Sequence, residues 1–108
     1  DISHAIEMYA KKFNYGVVRD FTGHGVGSKL HEDPAVPNYG KEGMGPVLRK
    51  GMTLAIEPMI NMGTYKVKIL ADGWTTITSD HSPSAHYENS IVITDNGYEI
   101  LTKIKEND

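Results

Sequence analysis

The sequence predicts an α+β fold, with one N-terminal helix followed by an antiparallel β-sheet with hairpins. Two observations lead to this fold class. Apolar residues repeat at helical spacing only near the start of the chain, whereas alternating strand patterns and turn signals occupy the second half. A chain of 108 residues can bury one modest core, so residues 1–108 are expected to form a single domain.

The first element is an amphipathic helix, predicted over residues 2–13. Its apolar residues fall on one face: Ile2, Ala5, Ile6, Tyr9 and Phe13. The helix is followed by Asn14-Tyr15-Gly16, and asparagine and glycine are typical of a left-handed cap at a helix C-terminus. Residues 17–21 then have the pattern of a short strand.

A glycine-rich segment follows this strand. Residues 22–51 contain seven glycines and three prolines, so they are predicted to be mostly turn and loop. Loops of that length in a compact domain are usually functional. Because Gly23, Gly25 and Gly27 surround His24, the backbone there is expected to bend tightly or to be closely approached.

The second half of the chain is predicted to be β-structure. The expected strands cover residues 53–60, 65–70, 74–78, 86–94 and 98–102. Hairpin turns are predicted at Ala71-Asp72-Gly73 and at Asp95-Asn96-Gly97. The charged residues 103–108 are expected to fray.

Composition excludes several classes of function. The net charge of −3 comes from well-mixed acidic and basic residues, without the basic stripe typical of nucleic-acid binding. No apolar run approaches the roughly 20 residues that span a bilayer. There is no cysteine for disulfide or thiolate chemistry, which fits a reducing cytoplasm. Because the sequence opens with Asp1 and enters a helix at once, we expect it to be a piece of a longer protein.

Three side chains indicate a metal site: His24, Glu57 and Glu88. Both glutamates interrupt otherwise apolar strand patterns, and burying an unpaired carboxylate is very costly. Arginine is scarce, so a divalent cation is the simplest partner, and imidazole with carboxylates suits manganese, iron, cobalt or zinc. Taken singly, each residue has a simpler interpretation, because strand glutamates usually face solvent and a loop histidine is often an exposed turn residue.

Three motifs carry a resemblance to a known family. They are GHGVGSKLHEDPAVPNYG at 23–40, AIEPM at 55–59 and YENSIVIT at 87–94. Their order and separation resemble those of the short bacterial-type methionine aminopeptidases, metallopeptidases with the pita-bread fold. That fold has two αβ halves related by pseudo-twofold symmetry, with two metal ions between them. The resemblance covers essentially the whole chain and implies that it is the C-terminal half.

The resemblance implies three metal ligands. His24, Glu57 and Glu88 match protein ligands of two divalent metal ions, of which Glu88 matches the carboxylate that bridges both. Glu57 also matches the residue proposed to handle the proton of the attacking water. Two neighbours depart from the family pattern, because Asn89 stands where histidine is typical and His86 where glutamine is common. Such neighbours orient and tune the ligands.

The resemblance also implies three substrate-binding residues. His31 matches a catalytic histidine that contacts the scissile peptide group. Leu30 and Trp74 fall at positions that help to line the pocket for the methionine side chain. The implied substrate is the N-terminus of a peptide or nascent protein.

The family's remaining ligands are two aspartates of the N-terminal half, which have no counterpart in this sequence. The isolated chain is therefore expected to be inactive, and to form a homodimer or aggregate through the surface that the other half would cover. Two alternatives stay open. The chain could be a non-catalytic pita-bread module that binds peptides or proteins, or a structural half-sheet whose acidic residues are all solvated.

Overall fold

The structure, a computed structural model, describes residues 1–102. Within that range the chain forms one helix, α1, over Ile2–Lys11, and ten strands. The strands in chain order are β1 Gly16–Val17, β2 Gly23–Gly25, β3 Glu32–Val36, β4 Thr53–Ile56, β5 Met59–Asn61, β6 Val67–Ile69, β7 Thr76–Thr78, β8 Ser84–His86, β9 Asn89–Thr94 and β10 Gly97–Ile100. The tail predicted to fray, 103–108, lies outside the described residues.

The strands form three antiparallel sheets. The largest has the strand order β10-β9-β4-β2-β3, a second has the order β1-β5-β8, and β6 pairs with β7 alone. Every pairing is antiparallel. One helix beside antiparallel sheets confirms the predicted α+β class.

The helix ends two residues earlier than its apolar pattern predicts. It stops at Lys11, and Asn14 adopts a left-handed backbone with a φ of 58°. Across this turn the N–H of Tyr15 donates to the carbonyl oxygen of Ala10 (3.2 Å), which satisfies one of the last helical carbonyls. The predicted left-handed cap is therefore present, but residues 12 and 13 belong to the turn.

The segment predicted as loop contains two strands, β2 and β3. On β2, His24 pairs with Ala35 of β3 on one side and with Ala55 of β4 on the other. The prediction that residues 22–51 are mostly turn and loop holds outside these two strands. It missed the strands because Gly-His-Gly in β2 and Pro34 in β3 have little strand propensity. Pairing with neighbouring strands imposes the extended backbone that the local sequence does not favour.

Two of the predicted strands each divide into two. The strand predicted over 53–60 becomes β4 and β5, separated by Glu57-Pro58, and the strand predicted over 86–94 becomes β8 and β9, separated by Tyr87-Glu88. Proline cannot donate a ladder hydrogen bond, which explains the first interruption. In both cases the chain changes between the five-stranded and the three-stranded sheet at a glutamate.

The two interruptions face each other. Ile56 pairs with Asn89 on one side of them, and Met59 pairs with His86 on the other side. Glu57-Pro58 therefore lies opposite Tyr87-Glu88, in the short gap between the two sheets. This arrangement brings the two glutamates close together although they are far apart in the sequence.

Both predicted hairpins are present, with shorter strands than predicted. β6 pairs with β7, and β9 pairs with β10. The strand predicted over 17–21 is reduced to β1, and the strand predicted over 98–102 ends at Ile100. The alternation of apolar and polar residues therefore predicted the positions of these strands correctly, but it did not predict where the strands begin and end.

An exposed aspartate, Asp80, forms hydrogen bonds to the loop between β5 and β6 and to its own loop between β7 and β8. Asp80, between β7 and β8, accepts hydrogen bonds from the backbone N–H of Thr64 (2.9 Å) and of Ser82 (3.1 Å). These bonds, the one from Thr64 first, favour the charged carboxylate and lower the pKa of Asp80 to about 2. The carboxylate therefore stays ionised well below neutral pH.

The core is small, and part of the apolar face of α1 is uncovered. The buried apolar residues are Ala10, Val17, Val18, Val36, Leu54 and Ala55. Tyr9 of α1 and Phe13 of the turn that follows it are instead 64% and 52% exposed. They border an open apolar groove of about 920 Å³ between α1 and strands β5 and β8. An exposed apolar surface of this kind is typical of an interaction site.

Gly23→Ala should destabilise the sheet, because a Cβ at this position would collide with the carbonyl oxygen of Ala55 on β4. We expect urea denaturation to show a free energy of unfolding lower by roughly 1–3 kcal/mol, the usual cost of overpacking. Gly45→Ala is the control, since a Cβ there meets nothing within 4 Å. Equal effects of the two substitutions would contradict this account of the packing.

Candidate metal centre

Glu57 is held at the interruption between β4 and β5. The side-chain amide of Asn38, which is only 1% exposed, donates to the carbonyl oxygen of Glu57 (3.4 Å). The side chain of Glu57 is 16% exposed. Its carboxylate is therefore largely removed from water and needs a positively charged or hydrogen-bonding partner. Sequence reasoning did not identify Asn38 as a residue that holds Glu57 in place. The two residues are 19 positions apart in the chain, and only the fold brings them into contact.

The partner of this carboxylate is His24 on β2. Nε2 of His24 lies 2.7 Å from Oε2 of Glu57, and the His24 side chain is 11% exposed. The other ring nitrogen, Nδ1, lies 2.9 Å from the carbonyl oxygen of Gly25. A carbonyl oxygen only accepts hydrogen bonds, so Nδ1 carries a proton, and the lone pair of Nε2 in a neutral ring faces Glu57.

Two hydrogen-bond acceptors at 2.7 Å require a proton or a cation between them. A spacing of 2.7 Å is that of a charge-assisted hydrogen bond and is shorter than the roughly 3.4 Å between two donors of one tetrahedral zinc ion, so the side chains would move apart to hold a metal. The donor types themselves fit, because imidazole and carboxylate together suit first-row metals. The hydrogen bond from Nδ1 to a backbone carbonyl is also the usual means by which proteins orient a metal-binding histidine. The residues present therefore fit a metal ion at this position.

Glycine is required on both sides of His24. A Cβ at Gly23 would collide with the carbonyl oxygen of Ala55, and a Cβ at Gly25 with that of Asp33. The close backbone approach predicted for this segment is confirmed. It allows β2 to carry His24 between β3 and β4.

His31 completes a first donor set with His24 and Glu57. One ligand atom from each residue lies within 4.8 Å of the others, and His31 itself is exposed. The two histidine rings are 3.8 Å apart between centroids, and both border an open cavity of about 570 Å³. An exposed imidazole beside a cavity suits the substrate-contacting role that the sequence predicts for His31.

Glu32 shapes the turn that carries His31. Its carboxylate accepts hydrogen bonds from the backbone N–H of Lys29 (2.8 Å) and from the hydroxyl of Ser28 (3.2 Å). Sequence reasoning did not predict this role of Glu32. The sequence feature that indicates it is a carboxylate four residues after the serine of a glycine-serine turn, here Gly27-Ser28.

A second donor set shares the Glu57 carboxylate. One ligand atom from each of Glu57, His86 and Glu88 lies within 4.8 Å of the others. Nε2 of His86 is 3.5 Å from Oε1 of Glu57. The structure thus brings the three predicted metal ligands, His24, Glu57 and Glu88, together through Glu57.

The two residues predicted to line a side-chain pocket are highly exposed. Leu30 is 78% exposed and Trp74 is 82% exposed. Among the described residues, neither belongs to the lining of the cavity beside His24 and His31. Trp74 lies at the turn between β6 and β7, where its backbone N–H donates to Asp72 (3.0 Å). Their role in substrate binding stays a prediction.

The side chain of Asn89, beside Glu88, is engaged in the large sheet. Its Oδ1 accepts a hydrogen bond from the hydroxyl of Thr102 (2.7 Å), and that hydroxyl accepts one from the backbone N–H of Ser90 (3.0 Å). Asn89 therefore ties β9 to the segment that follows β10.

The sequence profile of metallopeptidase family M24 matches residues 1–95. The chain belongs to metallopeptidase family M24. This M24 chain is 60% identical to the methionine aminopeptidase of Clostridium acetobutylicum over 102 residues, which are 94% of the chain and 41% of that protein. It is also 60% identical to the methionine aminopeptidase of Clostridium perfringens over 105 residues, 97% of the chain and 42% of that protein. It spans about two fifths of the length of these curated relatives.

Solved structures agree with this family membership. The crystal structure of methionine aminopeptidase from Thermotoga maritima matches with a TM-score of 0.93 and 56% identity, covering 96% of this M24 chain and 42% of that chain. The M24 chain thus has part of the pita-bread fold. Membership of a metallopeptidase family implies divalent metal ions, and the two donor sets contain the described residues that fit them. Within residues 1–102, no helix is long and apolar enough to cross a membrane.

Glu32→Ala should loosen the turn that carries His31 while leaving the sheets intact. Removing the exposed hydrogen bonds of this carboxylate costs about 1 kcal/mol locally, so the Lys29 amide should exchange roughly five times faster. Hydrogen exchange followed by NMR measures this rate. Glu42→Ala, at an exposed glutamate of the next loop, is the control. An unchanged exchange rate at Lys29 would show that Glu32 does not hold the turn.

Proposed function

We propose that this chain supplies the C-terminal half of the site of a metal-dependent aminopeptidase that removes N-terminal methionine. The observation that carries the proposal is the pair of donor sets sharing the Glu57 carboxylate. Its members come from separate segments: strand β2, the turn before β3, the end of strand β8 and the two facing interruptions. Similarity to methionine aminopeptidases along nearly the whole chain supports the same activity.

Each residue of the site then has its own task. His24 holds a cation through Nε2, because Nδ1 is engaged by the carbonyl oxygen of Gly25. When bound, the two divalent ions supply Lewis acidity that activates water and stabilises charge developing on the peptide oxygen. The Glu57 carboxylate accepts a proton from the attacking water and returns it to the departing amine. Glu88 would supply its carboxylate to both ions, as the family resemblance implies, while in this structure Glu57 is the residue common to both donor sets. The exposed His31 ring hydrogen-bonds to the scissile peptide group.

The proposed substrate is the N-terminus of a peptide or of a nascent protein. Leu30 and Trp74 contribute apolar surface to the pocket for the methionine side chain, and their exposure leaves this surface available. Because nascent proteins are met in the cytoplasm, we place the enzyme there. A non-catalytic peptide-binding module of the same fold is less well supported, since such a module has no need of two donor sets around one carboxylate.

Glu88→Ala should abolish hydrolysis of a Met-Ala peptide at every metal concentration, because mass action on one ion cannot replace a ligand shared by two. The assay uses a chimera in which this chain replaces the matching residues of the Clostridium perfringens methionine aminopeptidase, which is 60% identical to it. Glu99→Ala, on the exposed strand β10, is the control. Normal turnover of the Glu88→Ala chimera would contradict the proposed function.

His31→Ala in the same chimera should lower the rate and leave the metal content unchanged, because the proposed role of His31 is to contact the peptide group. We expect a loss of roughly 10²–10⁴-fold in kcat/KM, the range typical of one acid, base or hydrogen-bonding group. Metal analysis after gel filtration distinguishes a His31 that contacts the peptide group from a His31 that binds a metal ion. Loss of a metal ion would make it a ligand instead.

The 108-residue chain alone should be inactive and should associate with itself. Its donor sets lack the two aspartates of the other half, so metal affinity falls, and the groove beside α1 leaves apolar surface uncovered. Light scattering and a peptide-release assay with cobalt or manganese test both points. We expect a homodimer or larger species without turnover. A well-folded monomer as active as an intact methionine aminopeptidase would contradict this prediction.

A further inference from the structure

His86 belongs to a donor set although the family motifs give it no role. It is the last residue of β8 and pairs with Met59, the first residue of β5. That register places it directly beside the interruption at Glu57-Pro58. Its side chain is 43% exposed, so the ring can take up a ligand from solvent on one side while it faces Glu57 on the other.

The spacing between His86 and Glu57 is longer than a hydrogen bond. Nε2 of His86 and Oε1 of Glu57 are 3.5 Å apart, whereas N–H···O hydrogen bonds measure about 2.7–3.2 Å. Two donors bound to one zinc ion at about 2.1 Å, in tetrahedral arrangement, are about 3.4 Å apart. The spacing therefore suits two ligands of the same cation, and a Glu88 oxygen lies within 4.8 Å of both donors.

We propose that His86 is a direct nitrogen ligand of a metal ion held by Glu57, His86 and Glu88. We call this position the outer site. The inference rests on the proposed metal-dependent function and adds a ligand to it. Carboxylates alone suit manganese or magnesium, whereas an imidazole favours zinc, cobalt or iron. His86 therefore sets the metal preference of the outer site.

The test measures metal affinity rather than activity. The chimera with the Clostridium perfringens methionine aminopeptidase, which contains both halves of the fold, is freed of metal with a chelator. Its Zn²⁺ affinity is measured by competition with a chelating dye, and its Mn²⁺ affinity from the electron paramagnetic resonance signal of the free ion. His86→Gln should weaken Zn²⁺ binding at the outer site by at least about tenfold and Mn²⁺ binding by less than about threefold, because only the imidazole nitrogen is lost.

Two further variants keep the result interpretable. His86→Asn repeats the loss of imidazole with a shorter side chain, and circular dichroism checks that each variant folds. His81→Gln is the matched control, because His81 is exposed in the turn after β7 and belongs to neither donor set. The proposal is overturned if Zn²⁺ affinity is unchanged or if His81→Gln has the same effect. It is also overturned if both ions are weakened equally, since His86 would then only position Glu57.

Glu57→Ala separates this inference from the proposed function, because Glu57 belongs to both donor sets. If Glu57→Ala weakens Zn²⁺ binding and His86→Gln does not, only the role of His86 is wrong. If the unaltered chimera binds no Zn²⁺ at all, or if Glu57→Ala leaves binding unchanged, the metal centre itself is wrong and both proposals fail.

Discussion

The contact between the Glu57 carboxylate and the His24 imidazole is the interaction on which the rest of the site depends. A carboxylate that is only 16% exposed needs compensating charge, and the ring that faces it has its other nitrogen engaged by a backbone carbonyl. A proton satisfies both at this spacing, and a metal ion satisfies both once the two groups move slightly apart. The remaining donors, His31, His86 and Glu88, matter because they surround that same carboxylate.

The sheets are arranged so that this carboxylate can be reached from several directions. Two strand interruptions face each other where the chain changes between the five-stranded and three-stranded sheets. Beside them, β2 approaches its neighbours so closely that glycine is needed on both sides of His24. The donor sets remain open, and so does the apolar groove beside α1. Both features fit the proposal that this chain supplies one half of a larger site.

How much could be predicted from sequence depends on whether a feature is local. The cap at Asn14 and the two hairpins follow from residues adjacent in the chain. The interruption between β4 and β5 was also predictable, because Pro58 has no backbone N–H to donate to a neighbouring strand. Strand β2 and the interruption at Glu88 were not, because pairing with distant strands creates them. Likewise, the motifs supply the three expected ligands, but the spacing of His86 from the shared carboxylate exists only in the folded sheets.

The most direct measurement is anomalous diffraction at the zinc edge from crystals of this chain grown with zinc. If His24 and Glu57 hold a metal ion together, a peak lies at bonding distance, about 2.0–2.2 Å, from His24 Nε2 and from an oxygen of Glu57. A zinc peak found only elsewhere, with His24 and Glu57 in direct contact through a proton, would contradict the claim that these residues form part of a metal centre.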